Sequence, residues 1–333
     1  MNNYKSGNSL PNIGIIGATG LVGRTFLKVI DERELPFNEL SLFASARSAG
    51  MEVEFSGKTY IVKKADPSIF ENLDIALFSA GGKTSKELAP FARAQKCIVI
   101  DNSSAWRMDT KVPLIVPEVN SHRISEHNYI IANPNCSTIQ LVAGLKPLAD
   151  NYGLKRVVCS TYQSISGAGQ TGIDKLYREL EGNFDESRPI AYSTTFHTFE
   201  GEEGFTNEEI KMINETRKIL EIQELPIAVT CVRVPTIGGH CESVNVELEK
   251  EFNISDIRKL LANTTGLVLM DDPSREIYAT PNVVDDTDAV YISRLRRDDS
   301  VKNGLYLWIV ADNIRKGAAT NAVQIAEMII GKS

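Results

Sequence analysis

The sequence predicts an α/β protein in two parts, a doubly wound parallel sheet in front and an α+β domain with a largely antiparallel sheet behind. Three observations predict it. An apolar run at residues 12–16 leads through a turn of regularly spaced glycines into a helical pattern. Short apolar runs then alternate with helical stretches as far as Asp101. Beyond residue 150 the runs lengthen and helices become fewer. With 333 residues, 42% hydrophobic and 24% charged, the chain can build two ordinary globular cores.

Asn12-Ile13-Gly14-Ile15-Ile16 reads as a buried strand, and Gly17, Ala18, Thr19, Gly20, Leu21, Val22 and Gly23 as the turn into a helix that continues through Ile30. The spacing is G-x-x-G-x-x-G. Gly17 and Gly20 permit a tight turn and close backbone approach, Gly23 lets the helix pack on the strand, and the helix N-terminus faces a pyrophosphate. This is a Rossmann-like nucleotide domain. A second strand at 40–44 ends in Ser45-Ala46-Arg47-Ser48, where an NAD domain would place an acid for the ribose hydroxyls. An arginine between serines suits a 2′-phosphate, so NADP is expected; the alternative is a solvated loop cation. Residues 51–63 read as a hairpin insertion, 74–79 as a strand, 86–95 as a helix and 98–101 as a strand. Gly17, residues 79–82 and residues 102–104 then share the carboxyl rim of the sheet, with Arg107 following as a second anion-binding group.

Pro134 holds Asn133 away from helical dihedrals, while Ile139, Val142, Leu145 and Leu148 recur at helical spacing, so a helix starts close to Cys136. Unpaired N–H groups and the helix dipole favour a thiolate there, and Cys136 is the candidate nucleophile. Strands are expected at 155–164, 227–234, 243–248, 289–296 and 304–311, with helices near 171–181 and 207–221. A last helix, about 318–330, is apolar enough to return and cover the first sheet. The expected domains are 1–136 with 315–333, binding NADP, and 137–314, carrying catalysis and dimerisation.

The net charge of -7 and pI near 5.3 give no basic field for nucleic acid or anionic membrane. Residues 1–9 lack the apolar core of a signal peptide and no run of 18 apolar residues follows, which implies a cytoplasmic protein. Five cysteines with wide spacings and no C-x-x-C pair indicate neither a disulfide framework nor a metal site. Cys97, Cys159 and Cys231 read as buried strand residues, and Cys241 as a neighbour of the site. Among four histidines, His240 alone has a site-like setting, in a loop made by Pro235, Gly238 and Gly239. His122, His127 and His197 read as surface or hydrogen-bonded residues. Arg233, inside an apolar strand, requires a buried acid or a substrate carboxylate.

The segments 17–23, Asn133-Pro134-Asn135-Cys136-Ser137-Thr138, Gln163-Ser164-Ile165-Ser166-Gly167-Ala168-Gly169, Arg233-Val234-Pro235 with His240, and Asn313-Ile314-Arg315-Lys316-Gly317-Ala318-Ala319 together resemble the aspartate-β-semialdehyde dehydrogenase family. The likeness covers nearly the whole chain in order. It implies Cys136 as acyl-thioester nucleophile, His240 as acid and base, and Gln163 as the group orienting the substrate. It further implies Arg233 on the substrate carboxylate, Glu208 on its ammonium, Asn135 near the reacting centre, and Arg107 with Lys211 on phosphate. Glu209 is an open alternative to Glu208. The cofactor residues it implies are 17–23, Ser45, Arg47, Ser48, Ser166, Gly167 and Asn313, with NADP and no metal. The implied reaction reduces L-aspartyl 4-phosphate to the semialdehyde and phosphate, reversibly, on the route to lysine, diaminopimelate, threonine and methionine. A homodimer is implied, with pairing into a homotetramer left open.

Two other readings stay open. An N-acetylglutamyl-phosphate reductase would use the same thiol, but its acylated substrate has no ammonium for Glu208. An NADP-binding protein whose Cys136 senses oxidants would need no turnover.

Overall fold

The computed structural model describes residues 10–184 and 188–331, so the leader reading of residues 1–9 lies outside the described residues. Contacts divide the chain into two compact units, one running to Pro134 and resuming at Ala318, the other Asn135–Gly317.

The first unit contains β1 (Asn12–Ile16), α1 (Leu21–Glu32), β2 (Glu39–Ala44), β3 (Glu52–Phe55), β4 (Lys58–Ile61), β5 (Lys63–Lys64), β6 (Ile75–Phe78), α2 (Gly81–Ala94), β7 (Ile98–Asp101), α3 (Pro117–Asn120) and β8 (Ile130–Ala132). Its sheet has the order β5-β2-β1-β6-β7-β8 and every pairing in it is parallel. The order reverses between β1 and β6, and the strand ends at Gly17, Ser79 and Asn102 share one rim, as expected of a doubly wound sheet. β3 and β4 form the expected antiparallel hairpin. α2 begins at Gly81, five residues earlier than its apolar pattern, because paired glycines hide a helix start from propensity.

The second unit contains α4 (Cys136–Tyr152), β9 (Leu154–Gln163), α5 (Gln170–Leu180), β10 (Thr195–Phe196), α6 (Asn207–Leu220), β11 (Ile227–Arg233), β12 (His240–Leu248), α7 (Ile254–Ala262), β13 (Leu267–Leu269), β14 (Asp271–Asp272), β15 (Ile277–Tyr278), α8 (Pro281–Val284), β16 (Val290–Asp298) and β17 (Gly304–Ala311). Its seven-stranded sheet runs β10-β11-β9-β12-β17-β16-β13. Four of its pairings are antiparallel, while β11 beside β9 and β13 beside β16 are parallel. His240 is the first residue of β12, not a loop residue as its glycine context suggested. After β17 a π-helical turn, Arg315–Thr320, leads into α9 (Asn321–Ile330). That helix belongs to the first unit, where Ala322, Val323, Ile325 and Ala326 join the core of β1 and β6.

Within the second core, Glu242 on β12 is fully buried and neither carboxyl oxygen has a well-formed hydrogen bond. Burial pushes its carboxyl well above the usual 4.5, and the nearby Gln140 amide offsets little of this. The protonated form is therefore the one the fold favours. Below the unfolded value the group adds no pH-dependent penalty. As pH rises through and beyond about 4.5 the unfolded chain gains, until the folded pKa is passed. Glu242→Gln, a neutral isostere, should gain on wild type by ~1.4 kcal/mol for each pH unit in that window. Denaturant melts between about pH 4 and about pH 8 would check it, and a difference that does not change with pH refutes the neutral acid.

Candidate active site

In the first unit the glycine turn is shaped for an anion. Gly17 has φ +93°, and a Cβ there would lie 2.3 Å from the carbonyl oxygen of Ser79. A Cβ on Gly23 would lie 2.2 Å from the carbonyl oxygen of Gly17, so both positions exclude a side chain. Gly20 caps α1 without a side-chain bond to the first-turn N–H groups, and no acid sits in that turn. Those donors are the kind that bind a pyrophosphate, so the residues fit a dinucleotide. Ser45 and Arg47 are exposed and Ser48 half-buried, in the turn that follows β2. Arg107 is 7% exposed, its guanidinium pinned to the carbonyl oxygens of Asn133 at 2.9 Å and Asn102 at 3.0 Å.

The other candidates lie in the second unit. α4 begins at Cys136 itself, and Asn135 is its cap: Oδ1 accepts from the N–H of Ser137 at 3.0 Å and of Thr138 at 3.3 Å. The thiol therefore sits in the first turn, half-exposed, whereas Cys97, Cys159, Cys231 and Cys241 are buried. Burial raises the thiols of Cys159 and Cys231, and that of Cys241 to about 12, which leaves those three unreactive. The π-helical turn approaches the nucleophile so closely that a Cβ on Gly317 would stand 2.9 Å from Cys136 Cβ. Such turns gather at functional sites.

Around Asn135 the polar groups are shared. Its Nδ2 donates to Glu208 Oε1 at 2.7 Å, and Gln163 Nε2 donates to the same oxygen at 3.1 Å and to Ser137 Oγ at 2.6 Å. Lys211 reaches Glu208 Oε2 at 3.2 Å, one turn along α6. Burial alone would raise the Glu208 carboxyl, but Lys211, His197 and the bonds from Asn135 and Gln163 override it and bring it to about 2. Glu208 is thus a carboxylate. Glu209, the open alternative, is spent elsewhere: Oε2 closes a capping box on Thr206 N–H at 2.8 Å and Oε1 accepts from Cys231 N–H at 3.1 Å.

His197 is a residue that sequence reasoning left outside the site. β10 pairs antiparallel with β11, placing Thr195 opposite Arg233, and His197 Nε2 meets Gln163 Oε1. Burial lowers its pKa to about 4, with Glu208 pulling the other way and Arg233 and Lys211 helping. Arg233 ends β11 half-buried. Its Nη1 donates to the Ser164 carbonyl at 3.1 Å, and among the described residues no carboxylate lies within salt-bridge distance of it.

His240, 1% exposed, is fixed by Ser164, whose backbone N–H donates to Nδ1 at 3.1 Å. Asn313 ties the surrounding loops: its Oδ1 accepts from Ser164 Oγ at 2.9 Å, Ser166 Oγ at 3.3 Å and Gly239 N–H at 3.0 Å. That oxygen is committed to the protein and has little left for a cofactor. The structure thus brings Asn135, Cys136, Gln163, Ser166, Gly167, Glu208, Lys211, Arg233, His240 and Asn313 into one unit, with Arg107 and the glycine turn in the other.

Comparison with known proteins agrees in both units. The family model described as semialdehyde dehydrogenase, NAD binding domain, matches residues 12–127, and semialdehyde dehydrogenase, dimerisation domain, matches 145–316. The chain is 47% identical over 331 residues to aspartate-semialdehyde dehydrogenase of Aquifex aeolicus (strain VF5), covering 96% of this chain and 97% of that one. It is 44% identical over 335 residues to the enzyme of Bacillus subtilis (strain 168), with the same coverage. Aspartate semialdehyde dehydrogenase II from Vibrio cholerae, crystallised in complex with ASA, superposes with a TM-score of 0.92 at 43% identity, over 97% of this chain and 99% of that one.

Proposed function

Since this chain belongs to the aspartate-semialdehyde dehydrogenase family, an oxidoreductase family, we propose how its own residues carry the reaction from aspartyl phosphate to aspartate semialdehyde. The observation that carries the proposal is Arg233, a half-buried cation with no carboxylate at salt-bridge distance among the described residues, in the same unit as a Glu208 carboxylate held at about 2. Such a pair reads an amino acid by both its charges. Arg233 takes the α-carboxylate and Glu208 the ammonium, while Asn135 and Gln163 keep Glu208 in place. Cys136, as thiolate at the start of α4, adds to the acyl carbon and expels phosphate, leaving a thioester. Arg107 and Lys211 are the proposed phosphate groups. NADPH, when bound, would supply a hydride to the thioester carbon; the C–S bond then breaks as the oxygen pair re-forms C=O, returning the Cys136 thiolate and leaving the aldehyde. His240 is the proposed acid and base that handles the protons. Residues 17–23 hold the pyrophosphate, and Ser166, Gly167 and Asn313 complete the proposed cofactor contacts.

The deciding experiment is phosphate-dependent reduction of NADP+ with aspartate semialdehyde, run beside N-acetylglutamate semialdehyde. Turnover with the first alone is expected; none, or a preference for the acetylated substrate, overturns the reading. The relatives do not favour the acetylated substrate.

NADP in preference to NAD rests on Arg47 between Ser45 and Ser48. Arg47→Ala should raise KM for NADPH roughly tenfold and leave KM for NADH in place, the loss of one charge-assisted bond. An unchanged ratio removes Arg47 from cofactor choice. Gly317→Ala should lower kcat by on the order of 10- to 100-fold, because its methyl displaces the nucleophile. The same crowding should cost ~1–3 kcal/mol of stability; wild-type kcat with wild-type melting would show the close approach to be dispensable. A homodimer is part of the proposal, supported by the matched dimerisation domain and by Tyr192, Phe196 and Phe199, all exposed on the second unit. We also place the enzyme in the cytoplasm; among the described residues no helix is long and apolar enough to cross a membrane.

A further inference from the structure

Gln163 is fully buried, and both ends of its amide are engaged. One end meets Glu208 Oε1 at 3.1 Å and Ser137 Oγ at 2.6 Å. A carboxylate only accepts, so that end must be the NH2 group and the other end the carbonyl oxygen. His197 Nε2 meets this carbonyl oxygen, which can only accept in its turn. The contact therefore requires a proton on Nε2, and in the neutral ring it leaves the lone pair on Nδ1.

The sheet brings the two side chains together. β10 pairs Thr195 with Arg233, and Arg233 pairs with Gln163 on β9, so the residue that follows β10 comes within reach of the amide. His197 is half-buried there. Burial first, then Arg233 and Lys211, bring its imidazole down to about 4, with Glu208 and Glu209 pulling the other way. At neutral pH the group facing Gln163 is an uncharged ring.

Resting on the reading of Glu208 as the acid that meets the substrate ammonium, we infer that His197 is a positioning residue: its Nε2–H holds the carbonyl end of the Gln163 amide, so that the amino end stays on Glu208 and fixes that carboxylate for the substrate. Without the donor, a buried carbonyl oxygen loses its partner and the amide can turn away from Glu208. Asn135 and Lys211 hold the same carboxylate, so the loss of His197 loosens one hold and leaves two. A partial loss of substrate use follows, not an inactive enzyme.

Two substitutions separate the donor from the ring. His197→Phe keeps a ring and removes the N–H, whereas His197→Gln removes the ring and keeps an N–H. In the phosphate-dependent assay the phenylalanine variant should lose roughly 10- to 100-fold in kcat/KM for aspartate semialdehyde, chiefly through KM, with KM for NADP+ unchanged. The glutamine variant should stay within roughly threefold of wild type. A packing role predicts the reverse order. In a Gln163→Met background His197→Phe should add no more than roughly twofold, because the histidine acts through the amide. A phenylalanine variant at wild-type efficiency, a folded glutamine variant as poor as phenylalanine, or full additivity with Gln163→Met overturns the inference. The full-length wild type labelled with 15N-histidine, assigned with His197→Gln, gives a readout that no folding defect can blur. A neutral Nε2–H pattern is expected between about pH 6 and about pH 9; an Nδ1–H pattern or an imidazolium overturns the inference. A wild-type enzyme without turnover on aspartate semialdehyde overturns the functional reading alone, because the tautomer is read without substrate.

Discussion

Cys136→Ser is expected to lose on the order of 10⁴- to 10⁶-fold in kcat while its Kd for NADPH stays at the wild-type value. The size of the loss follows from what the thiol alone supplies. A serine hydroxyl at the same helix start has its proton held too firmly for the dipole to release it, and a thioester cannot form from oxygen. The four remaining cysteines cannot substitute, being buried. Two readouts keep the claim sharp: single-turnover release of phosphate from aspartyl phosphate, and mass spectrometry of the trapped acyl enzyme. Phosphate release at the wild-type rate from the serine variant would falsify the nucleophile assignment.

Arg233→Leu is expected to lower kcat/KM for aspartate semialdehyde by roughly 10²- to 10³-fold, the scale of removing one partner from a buried charge pair. Kd for NADPH should be unaffected. Arg233 has spent one donor on the Ser164 carbonyl and borders with Nη1 the space beside Gly167, which has no side chain, so its fork is aimed before any substrate arrives. Arg233→Lys should recover little, since a point charge cannot keep the Ser164 bond and present two parallel donors. Leucine and wild type using the semialdehyde equally well would mean that the cation meets some other anion. The pattern differs from that of Gly317→Ala, which acts on kcat through the nucleophile.

Much of this was legible before folding because it is local. Pro134 and the apolar spacing after it marked the start of α4 at Cys136, and the glycines marked the turn after β1. Glu208 and Lys211 are three apart and share a face of α6. What stayed hidden is non-local. His197 reaches Gln163 only because a two-residue strand, β10, pairs beside β11, and such a short strand leaves no periodicity to read. Asn313 was singled out, but only as a cofactor residue; the three donors it ties together, from Ser164, Ser166 and Gly239, come from distant segments and left no local signal. His240 misled in another way: its glycines do make a turn, but the turn ends one residue earlier and the histidine opens β12. α7 went unread although Ile257 and Leu261 share a buried face, because the helix is only nine residues long.

The return of α9 to the first unit has a consequence for the order of synthesis. The nucleotide-binding unit is encoded first but lacks Ala322, Val323, Ile325 and Ala326 until the final stretch of chain emerges. The second unit, continuous from Asn135 to Gly317, has all its residues before that. A chain that stops at Gly317 can therefore close its later-encoded unit while the earlier one still waits with an open apolar face. A message cut short after codon 317 would yield every residue proposed to touch the substrate, on a protein whose cofactor half could not finish folding.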